Sequence, residues 1–173
     1  MEFEQRMYHL VMYNLSPIQQ GIQAYHSAIE YSLEHGHHPE YQRWAKIDKT
    51  VIILNGGTSN RSGTNEYNDK EVVGTMEMYL QAIHQAGYPS SLFSEPDLNN
   101  ATSAIAFLVD ERVWNRVKYP EPSREDILKP GETAIHHLTQ EEKDERFYNY
   151  YFRLFNDGTI AWLRLWLKQF QLA

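Results

Sequence analysis

Apolar residues in this chain fall in short runs separated by polar stretches rich in glycine, asparagine and proline. Residues 8–13 (YHLVMY) are such a run, bounded by Asn14, and they predict a buried strand. Leu15-Ser16-Pro17 follows. Serine caps free helix amides and proline lacks an amide hydrogen, so together they predict a helix over 17–33. Ile18, Ile22, Tyr25 and Ile29 recur at helical spacing and form its expected core stripe. His35-Gly36-His37-His38-Pro39 ends it. Residues 41–46 read as a short helical turn carrying Trp44, and 50–54 (TVIIL) as a second strand. Residues 55–69, rich in Gly, Asn, Ser and Thr, predict a long loop. A helix over 70–86 follows, with Val73, Met76, Leu80 and Ile83 inward and Gly87 closing it. Residues 90–94 are a third strand. Residues 103–109 (SAIAFLV) are a fourth, so uniformly apolar that a central place in the sheet is expected.

The order β-α-β-α-β-β predicts an α/β fold, a mixed four-stranded sheet flanked by helices. Three prolines interrupt residues 119–130. Thr139 to Glu142 then form a capping box that opens a helix to about Phe155, Asn156-Asp157-Gly158 makes a turn, and a last helix is expected over 159–171. The tail thus reads as a C-terminal helical hairpin, and the expected division is an α/β domain over 1–115 and a helical extension over 116–173. The last helix shows a narrow polar stripe (Arg164, Lys168, Gln171) between two apolar sides. A helix of that kind buries more than one face. Trp162, Leu165 and Trp166 are therefore expected to join copies of the chain into a homodimer or higher even oligomer.

Composition narrows the class. With 42% hydrophobic and 23% charged residues the chain is ordinary for a globular protein. It has no cysteine, which excludes disulfides, thiolate metal sites and cysteine nucleophiles and fits a reducing compartment. No basic, apolar leader opens it, and the apolar stretch 160–172 is too short to span a bilayer, so no membrane association and a cytoplasmic location are expected. The net charge is −7. A protein that grips a phosphate backbone presents lysines and arginines to displace counterions, so the balance lowers the expectation of tRNA or DNA as partner.

Three segments resemble bacterial and phage-borne relatives of peptidyl-tRNA hydrolase II. The first is residues 15–28 (LSPIQQGIQAYHSA), similar to that family's first-helix signature ending Gln-x-x-His-Ala. The second is the spacing onward to Trp44 and the strand 50–54. The third is residues 95–104 (EPDLNNATSA), similar to the loop and strand start that complete the family's site. The resemblance covers roughly residues 7–110. It implies a peptidyl-tRNA hydrolase II-like sheet with a site at Gln23 and His26, an acidic position at Glu95 or Asp97, and a hydroxyl at Ser103 beside Thr102. The family's lysines, however, fall on Pro17 and Gln19. Glutamine can hydrogen-bond but cannot polarise a carbonyl as an ammonium does.

Residue spacing adds candidates of its own. Gln19, Gln23, His26 and Glu30 form one polar stripe on the first helix, either a solvated face or the wall of a cleft. Glu95, Asp97, Asn99, Asn100, Thr102 and Ser103 are dense in hydrogen-bonding groups beside a strand end, where open α/β sheets bind ligands. Asn55-Gly56-Gly57 opens a segment that is a phosphate nest, a lid or a plain connector, and it lacks the P-loop lysine. No metal site is expected from His35, His37, His38 or His136-His137, and no cofactor. The favoured function is binding, by sequestration, of a small nucleotide-like ligand in a hydrolase-like cleft, which in a phage setting would be a host nucleotide signal. The alternatives are a peptidyl-tRNA hydrolase, with His26, Asp97 and Ser103 catalytic, and an interaction protein using the aromatic tail.

Overall fold

The structure, a computed structural model, describes residues 2–59, 74–132, 135 and 137–170. Two compact units emerge: Met1–Asp110 with the residues after Gln169, and Glu111–Gln169.

The first unit is built on four strands, β1 (Gln5–Met12), β2 (Thr50–Gly57), β3 (Ser91–Glu95) and β4 (Ala101–Asp110), in the order β2-β1-β4-β3. β1 and β2 pair in parallel, and β4 runs antiparallel to both β1 and β3. The sheet is therefore mixed and the class α/β, as the element order predicts. β4 is buried from Thr102 to Asp110 and lies inside the sheet beside β1. That is the place its unbroken apolar run demands, because both of its faces are covered.

Helix α1 (Pro17–His35) links β1 to β2 and covers one face. Ser16 caps it, with Gln19 completing the capping box. Its C-terminal half packs Tyr31 and Ala28 on Met7, Ala106 and Leu108, joined by Tyr41 and Trp44, and Ala24 lies on Val11, Ala104 and Ile53. Tyr41 belongs to α2 (Pro39–Arg43), and Trp44 begins a π-helical turn, Trp44–Asp48, whose indole donates to the Thr50 carbonyl at 2.9 Å. Helix α3 (Thr75–Gln85) packs on β4, β2 and β1 through Met76 and Ile83. Val73 and residues 60–72 of the expected loop and helix start lie outside the described residues.

The isoleucine stripe is corrected. Ile18, Ile22, Tyr25 and Ile29 are exposed, and the buried face of α1 is Gln20, Gln23, Ala24, Ser27 and Tyr31. The reason lies beneath the helix. Ala24 and Ser27 are small enough to let the backbone approach the strands, and the sheet offers polar partners to Gln20, Gln23 and Ser27. Hydrophobic periodicity counts transfer energy and is blind to partners brought from distant strands.

β2 also runs further than expected, through Gly57. The β1–β2 register steps from Val11 opposite Asn55 to Met12 opposite Gly57, so Gly56 is the extra residue of a bulge. A Cβ on Gly56 would collide with Met76 Sδ and lie 3.1 Å from both Leu10 Cβ and the Val11 carbonyl, which leaves glycine as the residue that fits.

The second unit contains α4 (Glu111–Trp114), α5 (Arg124–Ile127), α6 (Gln140–Phe155) and α7 (Gly158–Trp166). Thr139 and Glu142 form the expected capping box of α6. Asn156 turns the chain in the left-handed region (φ 50), and Asp157 caps α7, so α6 and α7 form the hairpin. Here a second expectation is corrected. Arg164, placed on an outward polar stripe, is fully buried. Its Nη1 donates to the Arg112 carbonyl at 2.6 Å and its Nη2 to that of Tyr119 at 2.8 Å, while its guanidinium lies 4.3 Å from the Tyr151 ring centre. Trp162, Leu165 and Trp166 are half-buried, and the two indoles stack at 5.0 Å beside a surface groove of about 480 Å³. α7 ends at Trp166, short of the expected 171, and a 3-10 turn (Leu167–Gln169) follows. No helix among the described residues is long and apolar enough to cross a membrane.

Candidate functional site

Strand direction gathers the candidate residues. β1 and β2 are parallel, and Met12 faces Gly57 at their carboxyl ends. β4 enters antiparallel with Ala104 opposite Val11, and Glu95 at the end of β3 faces Ala101. The carboxyl ends of β1 and β2, the β3–β4 turn and the start of α1 therefore share one edge of the sheet, the kind of edge at which α/β proteins bind ligands.

At that edge three side chains interlock. Gln23 is buried in α1, and its Nε2 donates to Glu95 Oε2 at 2.6 Å. Its Oε1 accepts from Ser103 Oγ at 2.5 Å. A carboxylate can only accept, so the amide orientation follows from the partners. Ser103 is fully buried and also lies 3.2 Å from the Phe93 carbonyl. It reaches α1 through a bulge, since Phe93 faces Ala104 while Ser94 faces Thr102. Strict alternation would put Ser103 on the opposite face from Ala104, which packs under Ala24. Glu95 is half-buried, and its second oxygen has no partner among the described residues.

His26, one turn beyond Gln23, packs its ring 4.5 Å from that of Phe93. Its Nδ1 is buried and makes no hydrogen bond among the described residues. A buried polar atom left so costs on the order of 1–3 kcal/mol unless something supplies a partner.

A second polar pair lies deeper. His9 of β1, 1% exposed, is 2.9 Å from Ser27 Oγ through Nδ1, and Ser27 in turn donates to the Ala24 carbonyl at 3.0 Å. Burial lowers the His9 pKa to about 4, so the imidazole is neutral at pH 7.

Of the residues singled out from sequence, Gln23, His26, Glu95 and Ser103 come together. Thr102 is buried next to them. Asp97, Asn99 and Asn100 are exposed on the 3-10 turn after β3 (Pro96–Leu98 and the two asparagines, both left-handed, φ 56 and 55) and stand apart from the network. Gln19 is exposed, and its Oε1 accepts from the Ser16 amide at 3.0 Å, closing the capping box. Asn55 Oδ1 accepts from the Gly57 amide at 2.9 Å, and the Thr58 amide donates to Thr75 Oγ1 at 2.8 Å. Amides that would form a phosphate nest are thus engaged inside the protein. Phe93, Ser27 and His9 escaped the sequence reading. His9 left a trace there, as the one strongly polar side chain inside the apolar run 8–13, whereas nothing local marks Phe93 or Ser27.

Among the described residues no group of three His, Asp or Glu side chains gathers as a metal site. The −7 charge belongs wholly to the unit that holds the network, because Glu111–Gln169 contains ten basic and ten acidic residues. Compared with models of known protein families, the chain matches none, and no curated protein matches it.

Proposed function

We propose that the first unit binds, and by binding sequesters, a small nucleotide-like ligand at the Gln23–Glu95–Ser103 edge, and that it reads the base rather than the phosphates. The observation that carries this is the open end of the network: Glu95, oriented by a buried amide and hydroxyl, keeps one oxygen without a partner among the described residues, and His26, whose ring packs on Phe93, has an Nδ1 that makes no hydrogen bond among them. A carboxylate accepts the N–H groups that line a nucleobase edge, and an imidazole nitrogen donates or accepts. The acidic charge of this unit and the engaged amides at Gly57 and Thr58 argue against phosphate as the main handle.

The same geometry favours binding over hydrolysis. The Ser103 proton is directed at an amide oxygen and its hydroxyl is buried away from any base, so it is not an activated nucleophile. Pro17 and Gln19, where the resemblance would place lysines, start and cap α1.

Small molecules released from purified protein and identified by mass spectrometry test this, with calorimetry on a panel of matched nucleosides and nucleotides. Nucleosides should bind within about tenfold of their phosphates, a difference under about 1.4 kcal/mol. His26→Ala and Gln23→Leu should each weaken binding roughly ten- to a hundredfold. Turnover of peptidyl-tRNA at about 1 per second or faster, lost in His26→Ala, would replace this proposal with the hydrolase.

A further inference from the structure

The five large apolar side chains on the outer side of α1 are a surface in their own right. Ile18, Ile22, Tyr25, Ile29 and Leu33 are 78, 46, 66, 39 and 75% exposed. At about 100° per residue they form a band centred roughly 180° from the face that packs on the sheet. The helix is amphipathic, yet its apolar side points away from its own core. Singly exposed apolar residues are ordinary; a continuous stripe along about four turns of one helix marks an interface.

We infer that this stripe is the contact between two copies of the chain, packed α1 against α1 antiparallel across a two-fold axis. Spacing is the first argument. The positions mirror about a point between Tyr25 and His26, so that Ile18 meets Leu33 of the second copy, Ile22 meets Ile29, and the two Tyr25 rings meet at the axis. A patch that closes on itself is what an isologous dimer requires. Area is the second. Five side chains at these exposures offer on the order of 600 Å² per copy, most of the roughly 800 Å² per partner that standard interfaces bury. Orientation follows from the helix dipoles, which parallel pairing would align and antiparallel pairing opposes. His26 lies on the flank of the stripe, so the second copy would pass close to the proposed ligand edge.

Light scattering decides the partner. The wild-type chain should have twice the single-chain mass of 20.4 kDa, and Ile22→Glu and Tyr25→Glu should each return it to one chain with an unchanged circular dichroism spectrum. Both positions face solvent, so either variant serves if the other folds poorly. A wild-type mass of one chain overturns the inference. So does a dimer that survives both α1 substitutions, and dissociation by Trp166→Glu instead would move the contact to the C-terminal hairpin. Cysteine scanning fixes the orientation in a chain that has no cysteine of its own. Oxidised Tyr25→Cys should link two chains, because the two sulfurs meet at the axis. Ile18→Cys should not, because its copies lie roughly 22 Å apart along an antiparallel pair, far beyond disulfide reach. Cross-linking of both variants would refute the antiparallel arrangement.

Discussion

Helices α1 and α7 both turn polar side chains inward, and the comparison separates two uses of a buried polar group. In α7 the buried group is Arg164. Two backbone carbonyls take its terminal nitrogens, and the Tyr151 ring closes over its plane, so the charge is shut inside its unit. In α1 the buried polar groups are Gln20, Gln23 and Ser27, and the Gln23 chain runs from a buried hydroxyl outward to a half-exposed carboxylate. The arginine arrangement holds the hairpin in place: its terminal nitrogens end on backbone carbonyls, and the Tyr151 hydroxyl beside it donates to Glu121, a carboxylate already taken by Arg116 and Lys168. The glutamine arrangement ends on an acceptor with capacity to spare among the described residues. Burial and hydrogen bonding are alike in the two helices. Whether the carboxylate at the end of the chain of bonds is already engaged, as Glu121 is, or keeps an oxygen to spare, as Glu95 does, distinguishes scaffold from site.

The comparison can be broken most sharply at Arg164. Arg164→Ala leaves the carbonyls of Arg112 and Tyr119 unpaired in the interior and should destabilise the second unit by about 3–5 kcal/mol in urea unfolding. A loss below about 1 kcal/mol would show that the guanidinium is not the keystone described. The next effect belongs to His9 and depends on pH. Its folded pKa is about 4 against 6.5 in the unfolded chain, so the unfolded chain binds more protons between these values. Stability from this group is complete above pH 6.5 and falls as pH drops toward 4, by about 3 kcal/mol at 1.36 kcal/mol per unit. In His9→Gln the difference in stability between pH 7 and pH 4 should shrink by about that amount; an unchanged profile would mean that His9 does not govern the acid limb.

Gln23→Leu sharpens the contrast from the other side. It removes both bonds of the network and should cost about 1–3 kcal/mol, well under the arginine loss, while ligand affinity falls with it. Equal stability losses at Gln23 and Arg164, with binding intact, would erase the distinction between site and scaffold. The smallest effect is expected at Asp97. Its carboxylate is exposed and outside the network, so Asp97→Ala should change stability by less than about 0.5 kcal/mol and leave the pattern of ligand selectivity as it was. A strong loss of binding in calorimetry would extend the site onto the β3–β4 turn.

Local chemistry alone determined much of this protein. Ser16 and Pro17 start α1, Thr139 and Glu142 start α6, Asn156 and Asp157 turn the hairpin, and the apolar run of β4 demands an interior strand. These signals act within a few residues or within one strand's own composition, so the sequence displays them directly. Of the candidate site, Gln23 and His26 stood out through the resemblance and their helical spacing, while the choice between Glu95 and Asp97 stayed open. The tertiary structure decided what depends on distant partners. The bulge at Ser103 aims a hydroxyl at Gln23, eighty positions earlier, and Gln23 in turn engages Glu95. The same long-range contacts decided which side of α1 is inside. The isoleucines are the more hydrophobic face, but His9, Ser103 and the Met12 carbonyl lie under the other. A satisfied polar group can be buried where an unsatisfied one cannot, and satisfaction is a property of the folded neighbourhood rather than of the residue.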